Sequence, residues 1–177
     1  MDTMPVHYRA WCKALAPHGL TFTEEQFYAY AGATSPAIVR VLAREQHVTC
    51  DAVAVAMQKE ALYEASLRDL EPIHSVVAIA RREKGKRRLA VASGGRVQAV
   101  RASLEVIDVD HLFEVIVGME DVKHGKPDPE LFLIAAAEIG CRPEECVVYE
   151  DGDLGIEAAK RAGMEWIDVR PWYLAKG

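Results

Sequence analysis

Three short stretches concentrate side chains able to handle charge: Ser93-Gly94-Gly95, Gly125-Lys126-Pro127 and Glu150-Asp151-Gly152-Asp153. In the first, a hydroxyl followed by glycines lets the Ser93 oxygen and the backbone N–H groups around Gly94 approach an anion. Such turns also occur simply to reverse a chain. In the second, Lys126 sits between a glycine and a proline, so its ammonium can be held against a phosphate to offset its charge. The commoner fate of a turn lysine is plain exposure. In the third, the paired carboxylates of Glu150 and Asp151 suit a hard divalent cation such as Mg²⁺. Asp153, two residues on, reads better as the cap of the helix that follows.

Each stretch must be positioned by the element before it. Short apolar strands are predicted over Leu89–Ala92, Val115–Val117, Cys146–Tyr149 and Trp166–Val169. Helical patterns separate them: Ile73–Glu83, one marked by Val97, Val100 and Leu104, Glu130–Ile139 closed by Gly140, and Leu154–Ala162 closed by Gly163. Strands alternating with helices predict an α/β fold with a doubly wound parallel sheet covered on both faces. In such folds ligands bind beyond the carboxyl ends of the strands, where the first and third stretches fall and to which the loop after Val117 leads the second. Residues 5–67 read as helices only. Tyr8, Trp11, Cys12 and Leu15 share one face behind Pro5, and Thr23 with Gln26 forms a capping box for a helix through Tyr30. Ser35-Pro36 opens a helix with Ile38, Val41 and Leu42 on one side, and Asp51 caps another from Ala52 to Leu67. Glu71-Pro72 breaks the pattern, giving a helical domain over 1–72 and an α/β domain over 73–177.

Composition fits this picture. The 177 residues are 50% hydrophobic, 27% charged and 7% aromatic, enough for a real core and unlike a disordered chain. A net charge of −6 disfavours nucleic acid as a partner, and the basic run Arg81–Arg88 reads as a solvated helix end. No apolar run approaches the roughly 18 residues of a membrane span, and Met1–Pro5 does not look like a leader, so a cytoplasmic protein is expected. Cys12, Cys50, Cys141 and Cys146 form no C-x-x-C pair and are expected as buried thiols.

A hydroxyl, a lysine and an acidic pair, in that order on successive strand ends, resemble the later motifs of the haloacid dehalogenase-like hydrolases. The segments Gly125-Lys126-Pro127-Asp128-Pro129-Glu130-Leu131-Phe132 and Glu150–Met164 are similar to that family's signatures. The helical region resembles the small cap of the beta-phosphoglucomutase-like subfamily, and His7-Tyr8-Arg9-Ala10-Trp11 looks most like its fructose-1-phosphate phosphatase branch. The resemblance implies a Rossmann-like core and hydrolysis of a sugar phosphate through an aspartyl-phosphate, with the helical cap closing over the sugar. It implies Mg²⁺ at Asp151 and Glu150, phosphate held by Ser93, Gly94 and Lys126, and catalytic roles for Ser93 and Lys126. On the cap, Thr34, Ser35 and Lys59 are the candidate substrate contacts. Lys59 reads better as a solvated helix lysine than as a substrate contact, and the loop Gly32-Ala33-Thr34-Ser35 lacks the arginine that mutases use there.

Members of this family carry a D-x-D-G-T-x-x-D-T motif after a first strand. In these 177 residues only Asp2-Thr3 matches its end, and Asp2 aligns with the trailing Asp rather than the nucleophile. The expectation is a chain truncated or impaired in catalysis, because an in-line nucleophile is not replaced by a phosphate site. The alternative is a non-catalytic module that binds a phosphorylated ligand or a protein; a fragment without a function of its own is a third reading. The family's first strand lies between the strands ending at Ser93 and Glu150. The gap is therefore expected to be closed by a rearrangement, by another copy in a homo-oligomer, or by a separate segment.

Overall fold

The computed structural model describes residues 3–30 and 33–172 and divides the chain into two units, residues 1–71 and 72–177. Asp2 and Gly32 lie outside the described residues.

The first unit is all helical: α1 (Met4–Leu15), α2 (Glu24–Ala29), α3 (Ser35–Glu45) and α4 (Ala52–Ala65). Its boundaries follow local chemistry. The Thr23 hydroxyl accepts from the Gln26 N–H at 3.2 Å while the Gln26 side chain accepts from the Thr23 N–H at 3.0 Å. Asp51 accepts from the N–H groups of Val53 and Ala54, satisfying two donors at the start of α4. That helix ends at Ala65, with a tight turn over Leu67–Asp69 beyond it. On α3 the buried face is Ile38, Val39 and Leu42, with Val39 in the place expected for Val41, and Thr34 rather than Ser35 is the residue before the helix. These residues close a core with Trp11, Leu15, Phe22, Phe27 and Val55, in which Phe22 meets both Trp11 and Phe27 edge-on.

The second unit alternates α5 (His74–Glu83), β1 (Ala90–Ala92), α6 (Val97–Val106), β2 (Val115–Val117), α7 (Glu130–Glu138), β3 (Val147–Glu150), α8 (Asp153–Arg161) and β4 (Glu165–Asp168). The strands are parallel in pairs: Ala90 faces Val115 in one and Val147 faces Glu165 in the other. Gly140, at φ +67°, ends α7, and the Cys141 N–H returns to the Ala136 carbonyl.

The α/β unit with parallel strands between helices is as expected, and among the described residues β1–β2 and β3–β4 form two separate pairs with no strand joining them, so of the ways considered for closing the gap a rearrangement is not the one taken. Three expectations are corrected. Asp153 does not cap α8. Gly152 takes that position, and the Asp153 carboxylate pairs with the Arg170 guanidinium at 2.8 Å instead, because a cation at the end of β4 stands within reach. Glu150 is the last residue of β3 rather than part of the loop. The four thiols are free, but Cys12 is exposed and the other three are half-buried, with Cys50 and Cys146 packed at the edges of their cores. No helix among the described residues is long and apolar enough to cross a membrane.

Candidate active site

The carboxyl end of β3 is built around one contact. The Lys126 ammonium donates to Glu150 Oε2 at 2.6 Å, with both side chains mostly buried, at 19% and 13% exposure. The same ammonium lies 4.9 Å from the centre of the Phe132 ring, on the first turn of α7. The loop carrying Lys126 is held by its own carboxylates. Glu130, first residue of α7, accepts from the N–H groups of Lys123 at 2.9 Å and His124 at 3.0 Å. Asp128 accepts from the Glu130 N–H and donates its own N–H to the Gly125 carbonyl. The Lys126–Pro127 peptide is cis. A lysine fixed at both ends of its loop and at its tip has lost most of its rotamer freedom before any ligand arrives.

Glu150 is held as firmly. Its Oε1 accepts from the N–H groups of Asp151 at 3.2 Å and Gly152 at 3.0 Å. Its side chain packs so closely on the backbone of Gly155 that a β-carbon there would overlap it. A carboxylate offers about four lone-pair positions, so three internal donors leave Glu150 Oε2 one further acceptor site. Asp151, beside it, is half-buried. Two hard carboxylates at one strand end fit Mg²⁺, which takes one or two protein carboxylates and completes its shell with water and phosphate oxygens. Among the described residues no set of three or more His, Cys, Asp or Glu could hold a metal, so a cation here would depend on such outside ligands.

At the end of β1, the Ser93 N–H is tied to the Val117 carbonyl and the Ser93 Oγ accepts from the Gly95 N–H at 3.1 Å. The Glu120 carboxylate already accepts from the Val97 N–H, the first donor of α6. The anion reading of this turn is thereby narrowed to the Ser93 hydroxyl proton and the Gly94 N–H. Glu120, Glu130 and Asp128 all position this site. Nothing in their spacing marks them apart from ordinary surface acids.

The helical unit holds a second polar centre. Lys59, expected as a solvated lysine, is 4% exposed. Its ammonium lies 3.0 Å from His7 Nδ1 and 3.1 Å from Glu60 Oε1, above the rings of Trp11 and Tyr63 at 5.4 and 5.6 Å. The His7 ring stacks on Tyr63 at 3.7 Å. Burial, then the Lys59 charge, hold His7 down to about 3, so the neutral ring accepts from the ammonium. Burial also lowers Lys59, with Glu60 opposing it. His7, Lys59, Trp11, Tyr30 and Ser35 line a cavity of about 210 Å³. Ser35 donates to the same Glu60 oxygen at 2.9 Å, whereas Thr34 is exposed and does not line the cavity. The sequence places His7 in the segment His7–Trp11 but does not mark it as a partner of Lys59, which lies 52 residues away.

The structure locks Lys126 to the strand-end Glu150 beside Asp151, while Ser93 follows β1 and bonds within its own turn. The chain belongs to the haloacid dehalogenase-like hydrolases, whose family model matches residues 1–163. It is 34% identical to the fructose-1-phosphate phosphatase YqaB of Escherichia coli over 96% of this chain and 90% of that protein. It is 28% identical to a phosphorylated carbohydrates phosphatase of Thermotoga maritima, over 94% of this chain and 78% of the relative. Among solved structures, CbbY from Rhodobacter sphaeroides in complex with phosphate superposes with a TM-score of 0.77 at 25% identity, over 94% of this chain and 80% of the other. A beta-phosphoglucomutase from Clostridium difficile shares the fold, with a TM-score of 0.76 at 21% identity.

Proposed function

We propose that this chain binds a sugar phosphate with Mg²⁺ in the manner of a phosphatase of its family, and that residues 1–177 alone bind without turnover. The observation that carries the reading is the 2.6 Å Lys126–Glu150 contact at the carboxyl end of β3, in a loop pinned by Glu130 and Asp128. Lys126 supplies a fixed positive charge for phosphoryl oxygens, and Glu150 keeps it aimed. The Ser93 hydroxyl and the Gly94 N–H donate to the same class of oxygens. Asp151 and the remaining lone pair of Glu150 would hold Mg²⁺, which when bound neutralises charge on the phosphoryl group. In the helical unit, Lys59 and Ser35 are the proposed contacts for polar groups of the sugar, and Thr34 a contact at the loop outside the cavity. The relatives' activities on phosphorylated sugars support this substrate class.

Turnover requires a nucleophile in line with phosphorus, and the family's D-x-D-G-T motif is not found in these residues. Loss of a nucleophile lowers a rate by on the order of 10⁶-fold in well-studied hydrolases. Calorimetric titration with a panel of sugar phosphates and Mg²⁺, including fructose 1-phosphate, tests binding, and phosphate release from the same panel tests turnover. Saturable binding with no release is the expected result. Release that Asp151→Asn abolishes overturns the binding-only half, and an absence of any binding overturns the whole.

A further inference from the structure

We infer that Arg170 is a positioning residue for the carboxylate loop at the end of β3. By tying the start of α8 to the end of β4, it fixes the short segment that carries Asp151, a role that rests on the reading of Asp151 as a Mg²⁺ ligand.

Only Asp151 and Gly152 lie between Glu150, the last residue of β3, and Asp153, the first of α8. The β3 end of this segment is fixed from several sides. Glu150 faces Asp168 in the strand register, and its carbonyl accepts from the Val169 N–H at 3.0 Å. Its side chain is locked to Lys126 and to the N–H groups of Asp151 and Gly152. The α8 end lacks the usual device. A helix start is ordinarily fixed by a capping side chain, and here the cap position is Gly152, which has none.

Arg170 supplies the tie from outside the helix. It opens the tight turn that follows β4. Its backbone N–H donates to Asp168 Oδ1 at 2.9 Å, its Nε to both Asp168 oxygens at 3.0 and 3.1 Å, and its Nη2 to Oδ2 at 2.7 Å. This grip sets the plane of the guanidinium and leaves Nη1 to donate to Asp153 Oδ1 at 2.8 Å. A planar fork joins two carboxylates at a fixed separation, which a point charge cannot do. The helix dipole disfavours a cation beside the first turn of α8, so the two carboxylates are what place the guanidinium there. Folding stability does not account for the bond to Asp153. That side chain is 86% exposed, and an exposed ion pair contributes little. What the bond supplies is position. Glu150 is held to the end of β4 through Val169, and Asp153 is held to the same end through Arg170, so Asp151 is spanned by two anchors on one strand end.

The test uses the full 177-residue chain with Mn²⁺ as the probe, followed by its electron paramagnetic resonance, because Mn²⁺ takes the same oxygen donors as Mg²⁺. Arg170→Lys keeps the positive charge and loses the fork. It is expected to weaken Mn²⁺ binding by about 10-fold, the lower end of what outer-shell partners contribute to metal affinity. In the metal-free chain it should speed hydrogen exchange at the Asp151 and Gly152 amides and leave Ala90–Ala92 unchanged. Asp153→Ala, at an exposed site, should act in the same direction, and the double variant should bind Mn²⁺ no more weakly than Arg170→Lys alone. An unchanged Kd for Mn²⁺ with a lowered thermal midpoint would make Arg170 a purely structural tie and overturn the inference. So would a wild-type Kd in Arg170→Lys beside a tighter one in Arg170→Met, which would show that the charge alone matters. A wild-type chain that binds no Mn²⁺ would count against the proposed Mg²⁺ site itself; exchange at Asp151 and Gly152, which needs no metal, then decides the role of Arg170, and unaltered exchange overturns it.

Discussion

Replacing Lys59 by methionine separates what its charge does for folding from what it does for binding. Methionine keeps an unbranched stem of similar volume, so the core around Trp11 and Tyr63 stays filled. Two cation–π contacts, at 5.4 and 5.6 Å, are lost, each about 0.5–2 kcal/mol. Against that, the charge is no longer desolvated in a side chain only 5% exposed, a cost of several kcal/mol. Glu60, half-exposed, rehydrates with little penalty. The 3.0 Å hydrogen bond to His7 Nδ1 is lost as well and leaves that buried acceptor unpaired, at about 1–3 kcal/mol. These losses and the desolvation relief are of similar size, so Lys59→Met is expected to leave the stability of the helical unit within about 1 kcal/mol of its starting value. With a urea slope of about 2 kcal/mol/M, the midpoint should move by less than about 0.5 M. Fluorescence of the buried Trp11, in the same core, is the local reporter. The same variant should bind sugar phosphate at least 10-fold more weakly. A midpoint lowered by 0.5 M or more would refute the reasoning, because it would make the lysine a structural tie.

Three further outcomes follow from the same contacts. Because the folded protein holds His7 at about 3 against an ordinary 6.5, the unfolded chain takes up the proton first. The stability His7 contributes is present above pH 6.5 and falls as pH drops toward 3, by at most about 1.4 kcal/mol per pH unit; His7→Gln should flatten a urea-midpoint profile over that window. Gly155→Ala improves helix propensity by about 1 kcal/mol, yet its β-carbon displaces Glu150 from Lys126 and two N–H donors; a net loss of about 1–3 kcal/mol and weakened Mg²⁺-dependent binding are expected by denaturation and calorimetry. Arg170 donates to Asp168 and Asp153 and holds the Asp168 carboxyl below its usual range. That stability is present above the ordinary carboxylate range and lost as pH falls through the folded value, so Arg170→Met should lower the thermal midpoint at pH 7 and make little difference in strong acid.

Features decided within four or five residues were legible in the sequence. The Thr23–Gln26 box, the Asp51 cap and the Gly140 terminus each declare themselves in one turn, because helix ends are satisfied by neighbours in the chain. The strands leading to Ser93 and Glu150, and the Gly-Lys-Pro turn of Lys126, were legible for the same reason. Features decided by distant partners were not. Lys59 is buried because Trp11, His7 and Tyr63 meet over it. Val39 replaces Val41 because of where α4 packs on α3, and Asp153 turns from its helix end to Arg170.

The most direct measurement is calorimetric titration of the full chain with fructose 1-phosphate, with and without Mg²⁺, alongside Lys126→Met. The account predicts one saturable site, weakened at least 10-fold both by removal of Mg²⁺ and by loss of the ammonium. Binding that is indifferent to both would contradict it.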